Sequence, residues 1–172
     1  QEGAAETSQL AESYLQVGSP ARQLGFSVEQ VSAALEAMAF GGKTGAEAGV
    51  ALRNVLTSLV RPTNESAQVL AQLGLSQQEV AEKMRTGGIA GVVEQLSIGL
   101  QRLGGDTERA AALARIFGKE NLAAAGALIN NLDKLEELQS KIQSGSQGAA
   151  LAQAQTRMQS LSEILGRLKT AA

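Results

Sequence analysis

The segment that most resembles a chemically functional motif is Gly41–Thr44, whose sequence is Gly-Gly-Lys-Thr. It resembles the end of a phosphate-binding loop, in which backbone N–H groups and a lysine hold nucleotide phosphates. The complete pattern requires a further glycine at position 37, where Ala37 stands, and a preceding strand, whereas residues 28–40 have helical periodicity. The segment is therefore predicted to be a glycine turn that leads into an N-capped helix. No nucleotide or other cofactor is expected.

Carboxylates are the other groups to consider, because the chain contains no histidine and no cysteine. This composition excludes Ser-His and Cys-His nucleophile systems and most zinc sites. A glutamate that acts as a general acid needs a second group or a pocket that tunes its pKa. The glutamates here fall on helix starts or polar helix faces, the pair Glu136-Glu137 included, and a chain with no Trp and one Tyr is poorly suited to a sugar-binding cleft. We therefore expect no catalytic residue, no metal site and no enzymatic activity.

The composition favours helices that pack closely through small side chains. Hydrophobic residues make up 44% of the 172 residues but aromatic residues only 2%, so Ala, Leu and Val supply the apolar surface. Ala and Leu are strong helix formers, and a chain of this length can bury a sizeable core. The net charge of −2 is spread along the chain without a basic block, so no nucleic-acid site is expected. No apolar run reaches the ~18 residues of a membrane span.

Glycine, proline and capping residues divide the chain into short helices. Ser19-Pro20 is typical of a helix start, and Ser27 with Gln30 and Thr44 with Glu47 are predicted capping boxes. We expect an all-α fold, a multi-helix bundle of short glycine-punctuated helices followed by a longer helix with coiled-coil heptads. The helices are expected at roughly residues 5–17, 20–24, 28–40, 45–60, 64–73, 77–87, 89–103, 107–117 and 120–144.

One five-residue pattern occurs twice, at residues 23–27 and 72–76. In each copy a glycine is predicted to end a helix in the left-handed conformation, an apolar residue covers the turn, and a serine caps the next helix. Convergent use of a good turn explains the pattern, and a duplicated helical hairpin is the alternative. Five further glycines fall within or beside helices, which indicates either close helix approach or helices that bend: Gly49, Gly91, Gly99, Gly126 and Gly166.

A second region begins after the segment 144–148, whose sequence Ser-Gly-Ser-Gln-Gly is typical of a joint. We predict a compact helical module over residues 1–144 and an amphipathic or coiled-coil helix over residues 146–172. The spacing of 3, 4, 3, 4 and 3 between apolar residues matches a heptad seam for self-association, with an ordinary amphipathic helix packed on its own domain as the alternative. The seam residues are Leu151, Ala154, Met158, Leu161, Leu165 and Leu168.

Several segments resemble the core region of phage tail tape-measure proteins. Leu24–Val31 is similar to the helix start that opens that region, and Gly45–Asn54 resembles its Ala-Gly-Thr-Ala-Leu-Arg motif, with Val50 in place of Thr. Arg61-Pro62-Thr63 and the following helix are similar to the segment after that motif, and Ala111–Gly118 resembles an Ala-rich helix that ends in Phe-Gly. The resemblance covers roughly residues 20–130, and the order and spacing of the motifs agree with it.

The resemblance implies a structural role in the virion. Tape-measure proteins are long helical proteins of the tail tube lumen or tail tip that set tail length during assembly in the host cytoplasm and leave before the DNA to assist genome delivery. The implied partners are further copies of the chain and the tube, tip and assembly-chaperone proteins. The chain begins without Met, and we expect it to be a fragment of a longer protein. The alternative is an unrelated helical interaction module, such as a bacterial adaptor or a secretion-associated bundle.

Overall fold

A computed structural model describes residues 2–143 and 149–171 of the chain. Helices make up 86% of it, and the described residues contain no strand, which confirms the all-α prediction. The helices are α1 (Glu2–Gln23), α2 (Val28–Phe40), α3 (Gly45–Val60), α4 (Asn64–Gln72), α5 (Gln77–Gln101), α6 (Asp106–Phe117), α7 (Leu122–Asn130), α8 (Leu132–Gln143) and α9 (Ala149–Ala171), with a 3₁₀ turn at Lys119–Asn121 before α7.

The hydrophobic core is continuous from α1 to α8. Helices α2 and α3 lie at its centre, since α2 contacts α1, α3, α5, α7 and α8, and α3 contacts α1, α5, α6 and α7 as well. Aliphatic side chains fill the core, as the composition predicts, and the largest fully buried ones include Met38, Leu52, Leu56, Leu59 and Leu70.

The two copies of the five-residue pattern form the same turn. Gly25 and Gly74 have φ of 96° and 86°, and the N–H groups that follow donate back to Ala21 and Leu70 at 2.9 and 2.8 Å. This is the Schellman geometry, which leaves the next apolar side chain over the end of the helix. The serine of each copy then accepts a hydrogen bond from the backbone N–H three residues later. Both predicted helix stops are confirmed.

The prediction of a helix break at Gly18 and a new start at Ser19-Pro20 is wrong. Helix α1 continues through both glycine and proline to Gln23. Gly18 is buried beneath the ring of Tyr14, and the most extensive packing of α1 is against α3. That packing outweighs the missing proline N–H, since tertiary contacts routinely override local preference.

Two other local predictions are also corrected. Thr44 occupies the N-cap position of α3, but its side chain makes no cap hydrogen bond, and Glu47 pairs instead with Lys43 at 2.8 Å. The single helix expected over residues 120–144 is divided into α7 and α8 at Asn131, whose side-chain amide donates to the carbonyl of Ala127 at 2.8 Å. This local hydrogen bond competes with continuation of the helix.

The predicted stop at residues 87–88 takes the form of a kink within α5. Gly88 has φ 63° and ψ −152°, a conformation that essentially only glycine adopts. The apolar side chains before the kink, Val80 and Met84, would lie on the opposite face of a straight helix from Ile89 and Leu96. The kink allows both stripes to face the core.

Close helix approach explains two of the five glycines that lie inside or beside helices. A methyl group on Gly49 would overlap the carbonyl oxygen of Ser13 in α1, and one on Gly99 would overlap that of Leu73. Gly49 and Gly99 therefore permit close approach. A methyl group on Gly126 or Gly166 would meet no neighbouring residue within 4 Å, so close approach does not explain these two glycines.

Candidate interaction surface

The segment Gly41–Thr44 forms the turn between α2 and α3, with Gly42 at φ 86°. The ammonium group of Lys43 forms an ion pair with the Glu47 carboxylate at 2.8 Å. The hydrogen bond and charge of Lys43 lower the pKa of the Glu47 carboxyl. The turn follows a helix, as the sequence predicts, and it contributes Lys43 and Thr44 to the rim of a groove.

The adjacent carboxylates of α8 lie in different environments. Partial burial, helped by the charges of Glu94 and Asp133, raises the pKa of Glu136, while hydrogen bonding to Lys141 and the charge of Lys134 lower the pKa of Glu137. Within residues 2–143 and 149–171, no group of three or more acidic side chains is placed to hold a metal ion. In the same part of the chain, no helix has the length and apolarity to cross a membrane.

A groove of about 590 Å³ lies between α1, α2 and α9, and we call it the α9 groove. The bundle side is formed by Leu10, Ser13, Leu35 and Phe40, and the residues of α9 that close it include Leu161. Leu35 and Leu161 are buried, whereas Phe40 is 62% exposed. The groove is therefore lined by both apolar and polar residues and has an exposed aromatic side chain at its edge.

Polar contacts hold the walls of the groove. The Ser13 hydroxyl donates to the carbonyl of Gly45, which ties α1 to the start of α3. Across the groove, the Arg157 guanidinium of α9 lies 3.3 Å from the Glu36 carboxylate of α2. On the outer side, the Lys134 ammonium lies 5.3 Å from the centroid of the Phe40 ring, within cation–π range.

The structure places the predicted seam on one helix, and its described members differ in burial. Leu161 is 5% exposed and faces the groove, Leu165 is half-buried, and Met158 and Leu168 are each 39% exposed. The side chains of Leu151 and Ala154 lie outside the described residues. Self-association along the seam remains a prediction, as does the boundary between the modules 1–144 and 146–172.

The α9 groove and Phe40 were not identified from the sequence. Phe40 is the last residue of α2 and precedes two glycines, a position that resembles ordinary helix termination. The groove also combines helices more than a hundred residues apart, which periodicity alone cannot bring together. A phenylalanine at a helix end, in a chain with three Phe, was the signal that could have pointed to this surface.

Comparison with known proteins gives two matches. The profile of the family described as "Phage-related minor tail protein" matches residues 1–118. The "Tape measure protein" of Pneumococcus phage Dp-1 is 29% identical over 167 residues, which cover 95% of this chain and 14% of that protein. The chain thus spans about a seventh of the length of this curated relative. No solved structure matches the chain.

Proposed function

Because the chain belongs to the family of phage-related minor tail proteins, we propose that it is part of a tape-measure protein, which sets tail length during assembly and is ejected before the DNA to assist genome delivery. A structural role in a phage tail follows from the family itself. The observation that carries the finer proposal is the similarity to one tape measure protein along 95% of the chain.

The geometry supports a division of labour within the chain. A segment measures length only where it is extended, and a continuous helix rises 1.5 Å per residue. Helices α2 to α8 instead reverse repeatedly and share one core. We therefore assign residues 1–144 to a compact module for assembly or for contact with the tail tip or host, and residues 146–172, which include α9, to the measuring part.

The partners follow from this placement. We propose that the protein lies in the tail tube lumen or at the tail tip and assembles in the host cytoplasm with tube, tip and chaperone proteins. Further copies of the chain are proposed to pair through the α9 seam. The role is structural rather than catalytic, and its chemistry consists of packing surfaces such as the α9 groove and Phe40.

In-frame removal of residues 2–143 from the parent gene tests this role. We expect few or no complete tails by electron microscopy, because the module that engages other tail proteins is absent. Phe40→Ser is a milder variant at an exposed position, expected to lower the yield of tailed particles without unfolding the bundle. Ile98→Ser, at a position 40% exposed on α5, is the matched control. Normal yields of infective tails after the deletion would contradict the proposed role.

A further inference from the structure

We propose that α9 is a strap that alternates between two partners: the α9 groove of its own chain, and the α9 of a second copy. In the closed form Leu161 is inserted in the groove, and in the associated form the seam pairs with its counterpart. The proposal rests on the proposed self-association, and it adds that the groove of the same chain competes with the second copy for α9. The bundle would thus keep the seam occupied until copies meet.

In the closed contact, the described side chains of the seam differ in burial. Leu161 is 5% exposed, while Met158 and Leu168 on the same seam remain 39% exposed. The groove of about 590 Å³ is open to solvent along the line where α9 meets α1 and α2. Among residues 156–168, the part of α9 whose side chains are described, Leu161 alone is buried.

The strength of this contact sets the balance. Burial of one leucine favours the closed form by a factor on the order of ten to a hundred. The Arg157–Glu36 pair adds at most a few-fold, because its side chains are 67% and 30% exposed and surface ion pairs are weak. On the burial of Leu161 alone, the open fraction is on the order of one to ten per cent, and a second copy can capture it.

A second α9 fits the seam better than the groove does. Heptad positions of a paired coiled coil are buried on both helices, so Met158 and Leu168 would become buried together with Leu161 and Leu165. The heptad pattern is complementary to itself, which makes another copy the partner of matching chemistry. Arg157 lies next to the seam rather than in it, so the ion pair with Glu36 belongs to the closed form alone.

The Glu36–Arg157 ion pair distinguishes the two states, whereas Leu161 is buried in both. Glu36 lies on α2, so Glu36→Lys repels Arg157 and weakens closure without altering the sequence of α9. Because both copies must open before they pair, the apparent dissociation constant scales with the inverse square of the open fraction. We expect Glu36→Lys to strengthen self-association several-fold. Arg157→Glu also breaks the ion pair, but it changes a position that flanks the seam, so its effect is compared with the double variant. The double variant with Glu36→Arg and Arg157→Glu restores an opposite-charge pair and should weaken association relative to Arg157→Glu alone.

Sedimentation equilibrium of the purified 172-residue chain, from micromolar to hundreds of micromolar, is the test. Glu108→Lys on α6 changes the net charge equally and serves as the control. Met158→Glu should abolish association while leaving the melting temperature of the lone chain nearly unchanged, because that side chain is already partly exposed. Leu161→Asp should weaken self-association and lower the melting temperature, since Leu161 is buried in the closed form and in the associated form.

Three results would overturn the strap. One is a chain that stays monomeric with Glu36→Lys and with Arg157→Glu, another is association unaffected by Met158→Glu, and the third is equal strengthening by Glu108→Lys. These results concern the purified chain alone, so they leave the role in the tail standing. Conversely, tails that assemble normally without residues 2–143 would overturn the proposed function without altering the association constants.

Discussion

Replacing Gln139 by methionine should lower the free energy of unfolding of the bundle, because the Gln139 side chain bridges the kink of α5. Gln139 lies on α8 and is 8% exposed. Its amide nitrogen donates to the carbonyl of Gly87, and its amide oxygen accepts from the N–H of Ala90 at 3.2 Å. One glutamine thus binds backbone groups on both sides of Gly88. Methionine has similar length and shape but cannot make either hydrogen bond.

The expected loss follows from the two backbone groups left behind. A buried polar group that loses its partner costs about 1–3 kcal/mol. Because the Gly87 carbonyl is only partly buried, the two groups together cost somewhat less than twice that value, about 2–5 kcal/mol. The added apolarity of methionine offsets a small part of this. Against a typical total stability of about 5–15 kcal/mol, the change is large. With a denaturant slope of about 2 kcal/mol/M, the urea midpoint should fall by about 1–2 M.

Urea unfolding followed by circular dichroism at the helix band measures this loss. Gln101→Met, at an exposed position at the end of α5, is the matched control and should shift the midpoint little. A Gln139→Met midpoint equal to that of the control would refute the reasoning, because Gln139 would then not hold the kink. A change in slope rather than midpoint would mean that the unfolded state or the cooperativity had changed.

Three further predictions use glycines and carboxylates. Gly74→Ala should destabilise by about 1 kcal/mol or more, since φ of 86° disfavours a β-carbon, and an unchanged melting curve would count against the turn. Gly49→Ala should destabilise the fold by about 1–3 kcal/mol, because the added methyl group overlaps the backbone of α1. Gly126→Ala, with open space around the added methyl group, should instead stabilise it by up to about 1 kcal/mol. Equal effects of the two substitutions would contradict the described packing. The pKa of Glu136 is raised in the folded state, so the stability contributed by this group is fully present below its unfolded-state pKa and is lost as pH rises through its folded-state pKa. Glu136→Gln should therefore stabilise the fold at pH 7 but not near pH 3. The pKa of Glu137 is lowered in the folded state, so the stability it contributes is present at neutral pH and is lost in acid, and Glu137→Gln should destabilise the fold at pH 7. Thermal melts at pH 7 and pH 3 test both variants. A change in melting temperature of the same sign for both at pH 7 would contradict these assignments.

Local chemistry was predictable from the sequence where a few adjacent residues decide the outcome. The turns at Gly25 and Gly74 follow from residues within five positions, and the capping box of Ser27 forms as expected. Pro20 shows the limit of such reasoning, because contacts of α1 with α3, more than twenty residues away, keep the helix intact. Helix existence was therefore more predictable than helix boundaries.

The candidate surfaces depend on pairings that no local pattern contains. Gln139 meets the kink some 50 residues before it, and the α9 groove joins Leu35 to Leu161. The heptad spacing of α9 predicted an apolar seam but could not decide between a second copy and the bundle, because both partners use the same side chains. In the structure Leu161 is buried against the bundle while Met158 is 39% exposed, and self-association along the seam remains a prediction.

The most direct test of the proposed division between module and measuring helix is tail length after two deletions in the parent gene. Removing Ala154–Arg167, 14 residues of α9, should shorten tails by about 21 Å at 1.5 Å per residue, a shift resolved by averaged cryo-electron micrographs. Removing Asn64–Gly87, which comprises α4 and the first part of α5, should impair assembly or infection without proportional shortening. Shortening at about 1.5 Å per residue in both variants would show that the module is also extended in the tail, and would contradict the proposed division.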